Sequence, residues 1–193
     1  MSSISDPSAS CGKPVSVLFV CLGNICRSTM AEAVFRHHVD VTPSSVSFSN
    51  IDSAGTGAYH IRSPPDSRTM STLRRKGITN YTHSARKIHK ADFTSFDYIL
   101  AMDDDNLEDI LSLRDSLQRT TKSKGEQSGK IAEVRLFGDF QDDGTLCKDA
   151  SGGPLVPDPY YGGEDGFGEV FNLVTKFSKG FLKYLEKQSD TQG

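Results

Sequence analysis

The chain has 193 residues, a formal net charge of −3 at pH 7, and charged residues of both signs interspersed along its length. That balance speaks against a nucleic-acid or anionic-membrane face, and no apolar run approaches the roughly 20 residues of a membrane span. The length suits one domain with a sizeable core. The opening MSSISDPSASCGK is Ser-rich and lacks the apolar centre of a signal peptide. We therefore expect a disordered leader over 1–13, a single domain over 14–188, a disordered tail over 189–193 and a cytoplasmic monomer.

VSVLFV (Val15–Val20) is apolar and β-branched and reads as a buried strand. TMAEAVFRHHV follows with Met30, Ala33, Val34 and His37 at helical spacing, and Thr29 with Glu32 suggests a capping box. A second strand is expected over Ser45–Ile51 and a helix over Asp66–Gly77, ended by glycine. Phe96–Met102 reads as a strand, Asp103–Leu117 as a helix with acidic residues at its favourable end, and Ile131–Gly138 as the next strand. Arg119–Lys130 and Gln141–Pro157 are loops by composition, and Gly168–Gln188 is a helix with Val170, Phe171, Val174, Phe177, Phe181 and Leu185 on a core-facing stripe. Strands alternating with helices point to an α/β fold with a parallel sheet.

Cys21 then falls at the carboxyl end of the first strand and Arg27 just ahead of a helix. The C-x5-R spacing is weak by itself; its position is informative. In open α/β sheets ligands bind at this edge, and a loop leading into a helix N-terminus points amides and positive potential at one spot. Such a nest favours phosphate, which the planar fork of Arg27 can grip. Gly23 and Asn24 are the residues best able to take left-handed conformations in the loop. The same field lowers a thiol pKa from about 8.5, making Cys21 a nucleophile, and Ser28 can donate a hydrogen bond to its sulfur. This suggests phosphoryl transfer through a phosphocysteine.

Breaking an aryl phosphate ester calls for a proton donor opposite the sulfur. DPYYGG (Asp158–Gly163) supplies a candidate in Asp158, with Tyr160 and Tyr161 available to wall an aromatic substrate. Alone, the motif is equally an Asp-Pro turn. The four cysteines, Cys11, Cys21, Cys26 and Cys147, form no C-x-x-C pair, and the histidines show no metal-ligand spacing with carboxylates. No metal and no cofactor are expected.

CLGNICRS, IDSAGT, THSARKI, FDYILAMD and DPYYGG occur in this order in the low-molecular-weight protein tyrosine phosphatases, which the chain resembles from about Val15 to Leu185. The resemblance implies a four-stranded parallel sheet flanked by helices on both faces, Rossmann-like or flavodoxin-like, with the phosphate loop after the first strand. It implies Cys21 as nucleophile, Arg27 as the phosphate-binding arginine and Asp158 as general acid, then base. Leu22, Gly23, Asn24, Ile25, Cys26 and Ser28 would bind substrate, Tyr59 and Tyr160 would flank the phosphotyrosine ring, and Ser53 with His83 would support Asn24. Cys26 resembles the family's redox partner of Cys21. Implied partners are phosphotyrosyl proteins and small aryl phosphates, with inorganic phosphate or other oxyanions as inhibitors. Thr29 stands where most members have Pro, and the loops at Arg119–Lys130 and Gln141–Pro157 are long for the family. An arsenate reductase of the same fold would resemble a chain with two further cysteines near the third helix, and none lies between Cys26 and Cys147. A phosphotyrosine-binding module would need neither thiol nor acid.

Overall fold

The structure is a computed structural model that describes residues 13–123, 129–148, 151–161, 163 and 165–191. Most of the expected leader, parts of both long loops and residues 192–193 lie outside the described residues. Strands β1 (Val15–Cys21), β2 (Phe48–Gly55), β3 (Tyr98–Ala101) and β4 (Glu133–Leu136) form a parallel sheet in the order β2-β1-β3-β4. Helices α1 (Arg27–Val41), α2 (Ser67–Arg75), α3 (Asp92–Ser95), α4 (Asp104–Ser123) and α5 (Gly166–Thr191) connect and flank it.

Alternation along β1 assigns the two faces. Val17, Phe19 and Cys21 join Phe35 of α1 and Val174, Phe177 and Phe181 of α5 in one core. Leu18 and Val20 face the other way, onto Phe93 of α3 and Leu107 and Ile110 of α4. Phe19 and Phe137 meet edge-on with centroids 5.0 Å apart, the geometry aromatic rings prefer. Each fully buried ring is worth about 3–5 kcal/mol against truncation to Ala.

Several expected boundaries move. β2 runs over Phe48–Gly55, not Ser45–Ile51, because its polar carboxyl half carries Asp52 and Ser53 into an internal hydrogen-bond network. α4 continues to Ser123 through part of the expected 119–130 loop, with the Thr120 and Thr121 hydroxyls bonded back to Ser116 and Leu117 carbonyls. Residues 189–191, expected in the tail, extend α5. The capping box does not form. Arg27 and Ser28 are already helical, Thr29 Oγ1 donates to the Cys26 carbonyl at 2.9 Å, and Glu32 is drawn inward to 3% exposure. Cys26 occupies the N-cap position without a side-chain capping bond, so the positive end of α1 keeps its capacity for an anion.

Among the described residues, no helix is long and apolar enough to cross a membrane.

Candidate active site

β1 delivers Cys21 to the carboxyl edge of the sheet, where the chain must turn sharply to enter α1. Asn24 takes the turn's left-handed conformation at φ 56°. Gly23 does not share that role: its φ is not positive, and its missing side chain leaves room for His60, whose Cδ2 would sit 3.1 Å from an added Cβ. The end of β2 clasps the loop, with Thr56 N–H donating to the Cys21 carbonyl and Gly57 N–H to that of Leu22, both at 2.9 Å. Gly55 permits this approach, since a Cβ there would meet the Leu22 carbonyl oxygen at 2.7 Å.

The Cys21 Sγ accepts from the Asn24 N–H at 3.3 Å and lies 3.1 Å from Ser28 Oγ. Asn24 Oδ1 accepts from the Arg86 N–H at 2.9 Å, which fixes the orientation of its amide. Its Nδ2 therefore donates, to Ser28 Oγ at 3.0 Å and Ser53 Oγ at 2.9 Å. Since Oδ1 is an acceptor, His83 Nε2, at 2.9 Å from it, carries the proton. Ser53 and Tyr81 hydroxyls both donate to Glu32 Oε2 at 2.8 Å, and Arg36 Nε to Oε1 at 2.9 Å. Burial lowers the His83 pKa, against the opposing pull of Glu32 and Asp52.

Glu32, Asp52 and His83 thus converge, with ligand atoms within 4.8 Å of one another, although their sequence spacing gives no hint of it. The cluster is already occupied internally. Arg36, Ser53 and Tyr81 bind Glu32, and Arg86 pairs with Asp52 at 2.9 Å, so it serves as the loop's foundation.

Arg27 enters from the first turn of α1 and is 5% exposed. Its Nη1 is hydrogen-bonded to the Asp103 carboxylate just past β3 and lies 3.3 Å from the Val156 carbonyl, while Nη2 is 3.7 Å from Asp158 Oδ2. Burial opposes the guanidinium charge, but Cys21, Asp103 and Asp158 outweigh it, and the Arg27 pKa rises. Asp103 was not singled out from the sequence; its signal was its place directly after a strand, at the edge where ligands bind.

Cys21, Arg27 and Asp158 line one cleft of about 160 Å³. Leu22, Gly23, Ile25 and Cys26 complete its floor, and Tyr59, His60 and Tyr160 form its walls. Tyr59 is 76% exposed, leaving a ring face available to a ligand, and Tyr160 is 46% exposed with the Arg68 guanidinium over one face of its ring. Tyr161, considered as a second wall, is 90% exposed and is not part of the lining. Cys26 is buried, with its S–H 3.3 Å from the Tyr160 hydroxyl, and burial pushes its pKa up to about 11.

Amides, a helix start and a guanidinium would suffice to bind an anion, and a sulfur lies beside them in the same cleft. Sheet and loop together define an α/β protein with an anion-binding site, a thiol at its centre, at the carboxyl edge of a parallel sheet. Residues 16–191 match the family model described as low molecular weight phosphotyrosine protein phosphatase, and the chain belongs to that family. It is 44% identical over 173 residues to the family's representative from Schizosaccharomyces pombe, covering 90% of this chain and 98% of that one. It is 41% identical over 169 residues to the Homo sapiens protein, covering 87% and 94%. A crystal structure of a protein tyrosine phosphatase from Entamoeba histolytica, with Hepes in its active site, aligns at a TM-score of 0.66 and 33% identity, covering 91% of this chain and 99% of that one.

Proposed function

We propose that the protein hydrolyses phosphotyrosine and small aryl phosphates through a phosphocysteine on Cys21. The observation that carries this reading is a sulfur that accepts from the Asn24 N–H, lies 3.1 Å from the Ser28 hydroxyl and shares one cleft with Arg27 and Asp158.

The Cys21 thiolate attacks phosphorus, an S–P bond forms and the P–O bond to the phenol breaks. Asp158 gives its proton to the departing phenolic oxygen. Asp158, now a carboxylate, takes a proton from a water whose oxygen attacks phosphorus. The S–P bond breaks and inorganic phosphate leaves. Arg27 holds two phosphoryl oxygens throughout and balances their charge, and the loop amides of 22–28 do the same from the opposite side. Tyr59 and Tyr160 receive the aromatic ring, with Leu22 and Ile25 beside it. Ser53 and His83 act indirectly, by holding Asn24.

Cys26 serves as resolving thiol. Peroxide converts the Cys21 thiolate to a sulfenic acid with release of hydroxide; the Cys26 thiol then displaces that hydroxyl as water, leaving a Cys21–Cys26 disulfide that a thiol reductant reopens. Its high pKa keeps Cys26 from reacting with peroxide first. The reading further takes the protein as a cytoplasmic monomer, free of metal and cofactor, acting on phosphotyrosyl proteins and inhibited by inorganic phosphate and other oxyanions, with no nucleic-acid or membrane partner.

The test is phosphate release from phosphotyrosyl, phosphoseryl and phosphoarginyl peptides in the presence of chelator. Turnover of the first alone is expected, abolished in Cys21→Ser. A loss of activity on chelation, or turnover retained by Cys21→Ser, would refute it. Asp158→Ala should cut phosphotyrosine hydrolysis by about 10²–10⁴-fold and spare esters of acidic phenols.

A further inference from the structure

The turn carrying Asp158 is tied to α2 through the phenol of Tyr160, whose oxygen also accepts from Cys26 Sγ at 3.3 Å. The Tyr160 hydroxyl donates to Asp66 Oδ2 at 2.6 Å, across 94 positions of sequence. Asp66 is the N-cap of α2, with Oδ1 accepting from the Arg68 N–H at 2.8 Å. Its own N–H donates at 2.8 Å to the carbonyl of Ile25, inside the phosphate loop. Asp66 therefore touches the loop that holds the nucleophile, the start of a helix and the segment that holds the acid.

Arg68 completes the arrangement. Its Nε and Nη2 each bond the Asp66 carboxylate at 3.0 Å, and its guanidinium carbon lies 4.5 Å from the centre of the Tyr160 ring and 4.7 Å from that of Phe167. Phe167, in the first turn of α5, meets Tyr160 edge-on at 6.0 Å. The phenol is held by its oxygen, its face and its edge. Its backbone in turn orients the acid, since the Tyr160 N–H donates to Asp158 Oδ1 at 3.0 Å. Neither Asp66 nor Arg68 lines the cleft.

We propose that Asp66, with Arg68 braced against it, is a positioning residue that sets the proton-donating geometry of Asp158 by anchoring Tyr160. The inference rests on the reading of Asp158 as general acid. It gives Asp66 no contact with substrate, and it makes α2 the rigid reference against which the acid is aligned with the phosphate loop.

Two variants test this. Asp66→Asn keeps a residue that caps helices well and removes the carboxylate facing the phenol. Tyr160→Phe keeps the ring and deletes only the hydroxyl, so it guards against a folding defect at the cap. Each is assayed for kcat/KM on phosphotyrosine and on a dinitrophenyl phosphate, whose leaving group needs no proton. Displacing an acid by a fraction of an ångström to an ångström costs about tenfold to a hundredfold. We expect a loss of about tenfold on phosphotyrosine in both variants, clearly exceeding any loss on the dinitrophenyl ester, and no additional loss when either is combined with Asp158→Ala. Equal losses on both esters, losses that multiply with Asp158→Ala, or a Tyr160→Phe enzyme indistinguishable from wild type would overturn the proposal. A wild-type enzyme that hydrolyses neither ester would instead remove the phosphatase reading itself.

Discussion

The Sγ of Cys21 and the Oγ of Ser28 stand 3.1 Å apart, a contact in which the serine hydroxyl is the donor whenever the sulfur is a thiolate. Asn24 Nδ2 gives Ser28 Oγ a hydrogen at 3.0 Å, and the serine keeps its own hydrogen to offer a thiolate sulfur. That bond stabilises sulfur most when sulfur is the leaving group, as the phosphocysteine breaks down. Removing one preorganised donor of this kind costs about 3 kcal/mol, or about a hundredfold. Ser28→Ala should accordingly lower kcat by about that factor and enlarge the pre-steady-state burst of phenol. A kcat equal to wild type would detach Ser28 from the sulfur.

Arg27 reaches Asp103, the Val156 carbonyl and Asp158 at once, which only a planar fork allows. Arg27→Lys conserves charge and loses this geometry, so kcat/KM should fall at least about a hundredfold and inorganic phosphate should inhibit less well. Breaking a buried pair from the other side leaves Arg27 unpinned and undercompensated, a change that typically costs about 3–5 kcal/mol of stability. Asp103→Ala should therefore lower both activity and the urea midpoint. An Arg27→Lys enzyme with wild-type phosphate inhibition would contradict the assignment.

The two thiols of the loop should differ in reactivity. Burial holds the Cys26 pKa at about 11, and its hydrogen is engaged by Tyr160. Iodoacetamide at neutral pH is expected to modify Cys21 and spare Cys26, with Cys26 labelling rising only as the pH nears its raised pKa. Peptide mapping of the alkylated protein reads this directly. Preferential labelling of Cys26 would reverse the roles of nucleophile and resolving thiol.

His83 gives the foundation of the loop a pH dependence. Burial places its folded pKa below the ordinary 6.5, with Arg86 and Arg36 acting in the same direction and Glu32 and Asp52 against it. Below about pH 6.5 the unfolded chain binds the proton more readily than the folded one, so stability rises with pH through that window. The contribution is complete above 6.5 and is lost as the pH falls toward the folded value. His83→Gln retains an amide able to donate to Asn24 and does not titrate. Urea unfolding followed on both sides of that point should show a shallower pH slope in the variant; parallel slopes would exclude His83.

How much of this was legible in the chain depends on how local each feature is. Cys21, Asn24, Arg27 and Ser28 share one turn between a strand and a helix, and position alone brings them together. The order and type of the main elements followed from period and β-branching. Glu32 was misread because its spacing from Thr29 fits a surface cap, whereas its partners Ser53 and Tyr81 lie on distant segments. The same network disguised β2: Asp52 and Ser53 look like turn residues, yet they are strand residues whose side chains bond Arg86, Asn24 and Glu32. Asp66 and Tyr81 were hidden for that reason too, and Asp103 left only its place directly after a strand as a signal. Their partners Tyr160, Glu32 and Arg27 lie on distant segments, and only tertiary structure sets those distances.

Rapid-quench mass spectrometry of Asp158→Ala mixed with an excess of dinitrophenyl phosphate looks for the phosphocysteine itself. Without the base that activates water, the intermediate should accumulate. One phosphoryl group per chain is expected, mapped to the peptide containing Cys21 and absent when Cys21 is replaced by Ser. Phosphate found on another residue, or turnover by the wild type with no covalent species at any time, would contradict it.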